Sequence, residues 1–175
     1  MATALKNLSQ YDPDQIPSAA DMHFGIVVSV YNEKITGALL EGAYNTLIRH
    51  GATEENIWVR NVPGGFELTK GAQLMADFAP LDAVICLGCV IQGETRHFDY
   101  ICNSITQGIT QLNVDYEIPF IFGVLTTENL QQAADRAGGK HGNKGDEAAI
   151  TAIRMVDLER NMIDNAEKRS PEEEK

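Results

Sequence analysis

The stretch Gly88-Cys89-Val90-Ile91-Gln92-Gly93-Glu94-Thr95-Arg96-His97-Phe98-Asp99 carries a polar cluster and one histidine directly behind an apolar run. Val84 to Ile91 reads as a strand buried on both faces. A helical pattern opens at Phe98, so His97 stands at a strand-to-helix mouth. An imidazole placed there suits proton transfer near neutrality. The backbone N–H groups of Gly93, Glu94 and Thr95, with the Thr95 hydroxyl, suit a phosphate, because helix N-termini gather anions. Glu94 would repel that phosphate unless its side chain faces outward. The competing reading is an ordinary loop capped by Thr95, with His97 an idle polar residue. Position alone leaves both open, and no P-loop or Rossmann fingerprint is present.

Other residues can serve the same chemistry. Arg136, at the end of a short helical pattern, is the best positive partner for an anion, although an arginine there also complements a helix dipole. Lys140 and Lys144, in Gly-Gly-Lys-His-Gly-Asn-Lys-Gly, add charge or are simply solvated. Tyr31 and Phe66 follow the first two strands, where aromatics can stack on a planar heterocycle. Core packing is the commoner fate of a lone phenylalanine. Glu67 is a plausible hydroxyl acceptor, and equally a first-turn acid favoured by the dipole.

These residues need a scaffold to gather them. Phe24 to Val30, Ile57 to Val62, 83–92 and Pro119 to Leu125 read as strands. Helical stripes lie between and after them: Ile35 to Ile48, Leu68 to Met75, Phe98 to Tyr116, Leu130 to Ala137 and Ala149 to Ile163. Alternation of strand and helix implies parallel strands joined by right-handed crossovers. The expectation is an α/β fold: a three-layer α/β/α sandwich, flavodoxin-like, with a four-stranded parallel sheet. The loops at Tyr31-Asn32, 63–67, 92–95 and Thr126-Thr127 should meet at one edge, the edge where such sheets bind ligands. The expected organisation is an irregular N-terminal arm over 1–22, a single domain over 23–169, and a disordered charged tail over 170–175.

Composition narrows the partners. The chain carries 14 basic and 25 acidic residues, a net charge of −11. That balance argues against nucleic acid, and requires a locally positive pocket for any anionic substrate. Met1 to Gln10 lacks a signal-peptide core and no run reaches membrane-spanning length, so a cytoplasmic protein without a membrane partner is expected. Cys86 and Cys89 resemble a redox pair, but a strand sends positions three apart to opposite faces. With Cys102 they read as buried reduced thiols. The histidines show no metal-ligand spacing with cysteine, so no metal is expected.

Four segments together resemble the lumazine synthase family over nearly the whole chain from Phe24 onward. They are Val62-Pro63-Gly64-Gly65-Phe66-Glu67-Leu68, Leu87 to Asp99, Gly123-Val124-Leu125-Thr126-Thr127-Glu128-Asn129, and Asp135-Arg136-Ala137-Gly138 followed by Gly142-Asn143-Lys144-Gly145. The resemblance implies a transferase of riboflavin biosynthesis. It would join a ribitylamino-substituted aminouracil to a four-carbon dihydroxybutanone phosphate, releasing phosphate and water, with no cofactor. By resemblance, Tyr31 beside Asn32 is the stacking aromatic. Gly65, Phe66 and Glu67 hold the uracil and ribityl chain, and Cys89, Val90 and Ile91 line the heterocycle. Gly93, Glu94 and Thr95 bind phosphate with Arg136 and Lys144, while His97 moves protons. Phe122 and Arg136 come from an adjacent subunit. The family is pentameric, and the short Gly138-Gly139-Lys140-His141-Gly142 link resembles the members that build sixty-subunit shells, with riboflavin synthase a possible partner. Small departures are Tyr31 for phenylalanine or tryptophan, Gly65 for alanine and Thr69 for proline. The rival is a non-catalytic lumazine- or flavin-binding shell protein, which the joint presence of His97 and Arg136 disfavours.

Overall fold

Strand β1 (Phe24–Ser29) is buried at every position, and its side chains feed two cores. Phe24, Ile26 and Val28 point into one, and Val27 into the other. Strand β3 (Ala83–Ile91) repeats the division, with Ala83, Ile85, Leu87 and Cys89 on the first side and Val84 and Cys86 on the second. Two strands that are apolar on both faces require helices on both faces. The computed structural model, which describes residue 7 and residues 9–169, shows them. Helices α1 (Glu33–Arg49) and α5 (Lys144–Arg169) cover the first face; α2 (Leu68–Phe78) and α3 (His97–Asp115) cover the second.

With β2 (Ile57–Val62) and β4 (Phe120–Thr127), the sheet has the order β2-β1-β3-β4, and every pairing is parallel. The α/β sandwich read from the sequence is therefore correct. Because the chain leaves β1 for β2 on one side and returns to β3 on the other, the order reverses between β1 and β3. Their carboxyl ends frame the crevice where such sheets accept ligands. Cys86 and Cys89 lie on opposite faces as strand geometry requires, and both are free thiols.

The structure corrects two local expectations. Thr126 and Thr127 belong to β4 rather than to a loop, because β3 runs on beside them: Val90 pairs with Thr126, Ile91 with Thr127, and the Gln92 N–H donates to the Thr127 carbonyl at 2.8 Å. After α4 (Leu130–Ala134) the glycine link is not merely a break. It folds as a small antiparallel pair, β5 (Ala137–Gly139) and β6 (Gly142–Asn143), with Gly138 and Gly142 at φ of 100° and 79°. Those left-handed values favour glycine.

Helices α1 and α5 cross closely. A Cβ on Gly145 would overlap the Leu39 carbonyl oxygen and lie 2.9 Å from the Ala43 nitrogen. The Asn143 amide locks the crossing, donating from Nδ2 to the Ala38 carbonyl at 2.8 Å and accepting the Gly145 N–H at 2.8 Å. At the amino edge of the sheet, Asp82 accepts the His23 N–H at 2.6 Å and meets Arg160 of α5 at 3.3 Å. Arg160 also pairs with Asp21 at 3.0 Å. The arm's described residues lie on their own domain: Ala19 and Met22 are buried, and the Tyr11 ring sits 5.5 Å from that of His50. The charged tail 170–175 lies outside the described residues.

Candidate active site

The carboxyl edge is built from three strand ends. Beyond β1, the Val30 N–H donates to the Val62 carbonyl at 2.9 Å and the Tyr31 N–H to the Pro63 carbonyl at 3.2 Å. The ladder thus lays Tyr31 over the 63–67 loop. A Cβ on Gly64 would meet the Tyr31 ring at 2.9 Å, so glycine there lets backbone and ring touch. Asn32 takes a left-handed φ of 61°, a conformation asparagine tolerates. Its Nδ2 then reaches across the switch point and donates to the Cys89 carbonyl at 2.9 Å. Glu67 turns back on its own loop, where Oε2 accepts the Gly64 N–H at 3.0 Å.

Two aromatic faces are left open. Tyr31 is 68% exposed and Phe66 59%. Core packing therefore does not explain Phe66. Val90 and Ile91 are half-buried on opposite faces of the sheet, Val90 against the α2–α3 core and Ile91 against the α1–α5 core, and Gly65 sits against the Ile105 side chain, which a Cβ would meet at 2.7 Å. The Gly65 departure from the family pattern is accommodated by Ile105 filling that space.

Beside the aromatics runs the 92–97 loop. Gly93, Glu94, Thr95, Arg96 and His97 are all exposed, and a Cβ on Gly93 would meet nothing within 4 Å. Helix α3 begins at His97, one residue earlier than the sequence pattern suggests. Its N-terminus has no side-chain cap at Arg96, and Thr95 offers only a long 3.4 Å contact to the His97 N–H. The helix mouth therefore keeps free donors for an incoming anion.

On the far side of this loop opens a cleft of about 630 Å³, which contains Arg136. Gln92 and Phe98 line it from the β3–α3 segment, Thr126, Thr127 and Glu128 from the end of β4, and Gln132, Asp135, Arg136 and His141 from α4 and the link after it. Lys144 is not in it: its ammonium is engaged by Glu147 at 2.6 Å. Phe122 also stands apart. It pairs with Cys86, upstream of the carboxyl edge where Leu125 pairs with Cys89, and packs beside the α2–α3 core. One chain thus gathers Tyr31, Asn32, Gly65, Phe66, Glu67, Cys89, Val90 and Ile91 at the carboxyl edge of the sheet, with the 93–97 loop following β3 there. It does not bring Phe122 or Lys144 there.

A family model for 6,7-dimethyl-8-ribityllumazine synthase matches residues 21–160. The chain belongs to the lumazine synthase family. Among its relatives, the 6,7-dimethyl-8-ribityllumazine synthase of Parabacteroides distasonis is 61% identical over 158 residues, covering 90% of this chain and 99% of that protein. The protein of the same name from Phocaeicola vulgatus is 58% identical over 158 residues, 90% of this chain and 94% of that one. The Cytophaga hutchinsonii synthase is 60% identical over 156 residues, 89% and 98% of the two chains.

Within this lumazine synthase scaffold the thiols are not nucleophiles. Burial pushes Cys89 up to about 11 and Cys86 up to about 12, so neither supplies a thiolate near neutrality. Cys102 is raised as well, by burial first and the Asp99 charge second. What Cys89 presents to the crevice is a backbone carbonyl held by Asn32. That contact, together with Gln92, Phe98, Gln132, Asp135 and His141 in the cleft, escaped sequence reasoning. An asparagine just past a strand hinted at the left-handed turn, but no local pattern foretells a bond to a residue far along the chain.

Proposed function

We propose that this chain condenses 5-amino-6-(D-ribitylamino)uracil with 3,4-dihydroxy-2-butanone 4-phosphate to 6,7-dimethyl-8-ribityllumazine, releasing phosphate and water. The observation that carries the proposal is the pair of open aromatic faces, Tyr31 and Phe66, beside a strand end fixed by Asn32 and next to a donor-rich helix mouth. The aminouracil ring stacks on the aromatics, and the main chain of Cys89 to Ile91 reads its edge. Glu67 accepts ribityl hydroxyls. Gly93, Glu94 and Thr95 hold the phosphate through backbone N–H groups, and Arg136 supplies charge. Holding amine and ketone together removes much of the entropic barrier to imine formation. His97 moves protons as the imine forms and as phosphate departs, and the bound phosphate leaves stabilised by the donors that held it.

The separation of Phe122 and Arg136 from the crevice within one chain supports their being lent to a neighbour's site. We take the working unit as a pentamer in the cytoplasm, and the short glycine link as favouring a sixty-subunit shell that can associate with riboflavin synthase. Head-to-tail contacts that close give rings of this kind. The test is turnover of purified protein with both substrates, beside light scattering. Arg136→Ala should raise KM for the butanone phosphate by roughly tenfold to a hundredfold, the size of a lost charge-assisted contact of about 1.5–3 kcal/mol, and leave KM for the aminouracil little changed. Binding without turnover would favour the non-catalytic shell protein. An active monomer would remove the shared site.

A further inference from the structure

We propose that His141 is a second cationic group for the phosphate end of the substrate, carried into the Arg136 cleft by the β5–β6 hairpin. The inference rests on the phosphate reading given above. Four residues with ionisable or charged side chains line the cleft: Glu128, Asp135, Arg136 and His141. The two acids are already engaged by glutamines. Asp135 accepts the Gln131 amide at 2.8 Å, and Glu128 accepts that of Gln132 at 3.3 Å. The Arg136 guanidinium donates to the Gln132 carbonyl at 3.0 Å, and among the described residues no carboxylate lies within 4.0 Å of it. It is aimed by a neutral group and keeps its charge for a ligand.

The hairpin brings His141 into the lining of the same cleft. The His141 N–H donates to the Asp135 carbonyl at 2.7 Å, and the Lys144 N–H to the Arg136 carbonyl at 2.9 Å. Positive φ at Gly138 and Gly142 lets the chain double back between these bonds. Of the neighbouring cations on this segment, Lys140 is exposed outside the cleft lining and Lys144 is held by Glu147. That leaves His141 as the hairpin's own contribution to the cleft. An imidazole gains or loses its charge near physiological pH, so it makes affinity for an anion depend on pH where arginine does not.

The test measures KM for both substrates and Ki for inorganic phosphate between pH 6.5 and 8 in the assembled enzyme. The variants are His141→Gln, His141→Lys and Arg136→Ala. At pH 6.5, His141→Gln should raise KM for the butanone phosphate and Ki for phosphate about threefold to tenfold, leaving kcat and the aminouracil KM unchanged. His141→Lys should keep both values low across the range, which a merely structural histidine would not do. If Arg136→Ala weakens phosphate and His141→Gln does not, the inference fails while the phosphate site stands. If neither variant moves KM or Ki, both fall. Equal effects of His141→Gln on the two substrates would make His141 structural and overturn the proposal.

Discussion

Of the glycine-bearing segments that lead from a strand into a helix, 92–97 into α3 and 142–145 into α5 use their glycines in opposite ways. Around Gly93 there is open space, the neighbouring polar side chains face solvent, and the helix mouth has no side-chain cap. Around Gly145 there is the backbone of α1, the Asn143 amide is bonded through both Nδ2 and Oδ1, and Lys144 is paired with Glu147. Both segments carry the family resemblance. One leaves donors unsatisfied at the carboxyl edge of the sheet, where a ligand can complete them. The other satisfies its groups internally and fixes a helix crossing. A shared sequence signature therefore separates into binding and architecture only when neighbours are known, and Lys144 falls on the architectural side.

The contrast can be broken experimentally. The largest effect is expected from His97→Ala, which should lower kcat by ~10²–10⁴-fold. Thermal stability should stay within the range of ordinary surface substitutions, about 0.5 kcal/mol, because the residue is exposed. Steady-state kinetics and a melting curve on the same sample give both numbers, and an unchanged kcat would place the chemistry elsewhere. Gly145→Ala should do the reverse. Forcing a methyl against the Leu39 carbonyl should cost about 1–3 kcal/mol of stability and lower the melting midpoint by several degrees, with kcat of the folded protein retained. A wild-type midpoint would mean that the α1–α5 crossing has slack. Gly93→Ala should change stability by less than about 0.5 kcal/mol, since the added methyl meets nothing within 4 Å. A large loss of stability there would erase the distinction between the two segments.

The smallest effect concerns the amino edge, far from both. A hydrogen bond from Arg160, then its charge, holds Asp21 below the ordinary carboxylate value of 3.8. A depressed carboxylate stabilises the fold above its unfolded pKa, and that contribution is lost as pH falls through the folded value. Arg160→Gln should therefore lower the urea midpoint slightly at neutral pH, and the gap from wild type should narrow on acidification. A gap that widens in acid would reverse the assignment.

Much of the layout was legible in the residues. Apolar runs broken by polar turns marked the four parallel strands, and the helical stripes between them required two covered faces. The same alternation placed Cys86 and Cys89 on opposite sides, and the strand ends named the edge on which Tyr31, Asn32, Phe66, Glu67 and the 92–97 loop meet. These features follow from periodicity, which is a property of neighbours in the chain. The strand assignment of Thr126 and Thr127 was not legible, because it depends on how far β3 runs beside them. Nor was the bond from Asn32 to Cys89, the engagement of Lys144, or the return of His141 to the cleft that holds Arg136. Each of these depends on where a fold brings backbone that is remote or turns back on itself. Burial patterns record which side of an element is dry; only close approach in three dimensions decides which polar group is already satisfied and which is left for a ligand.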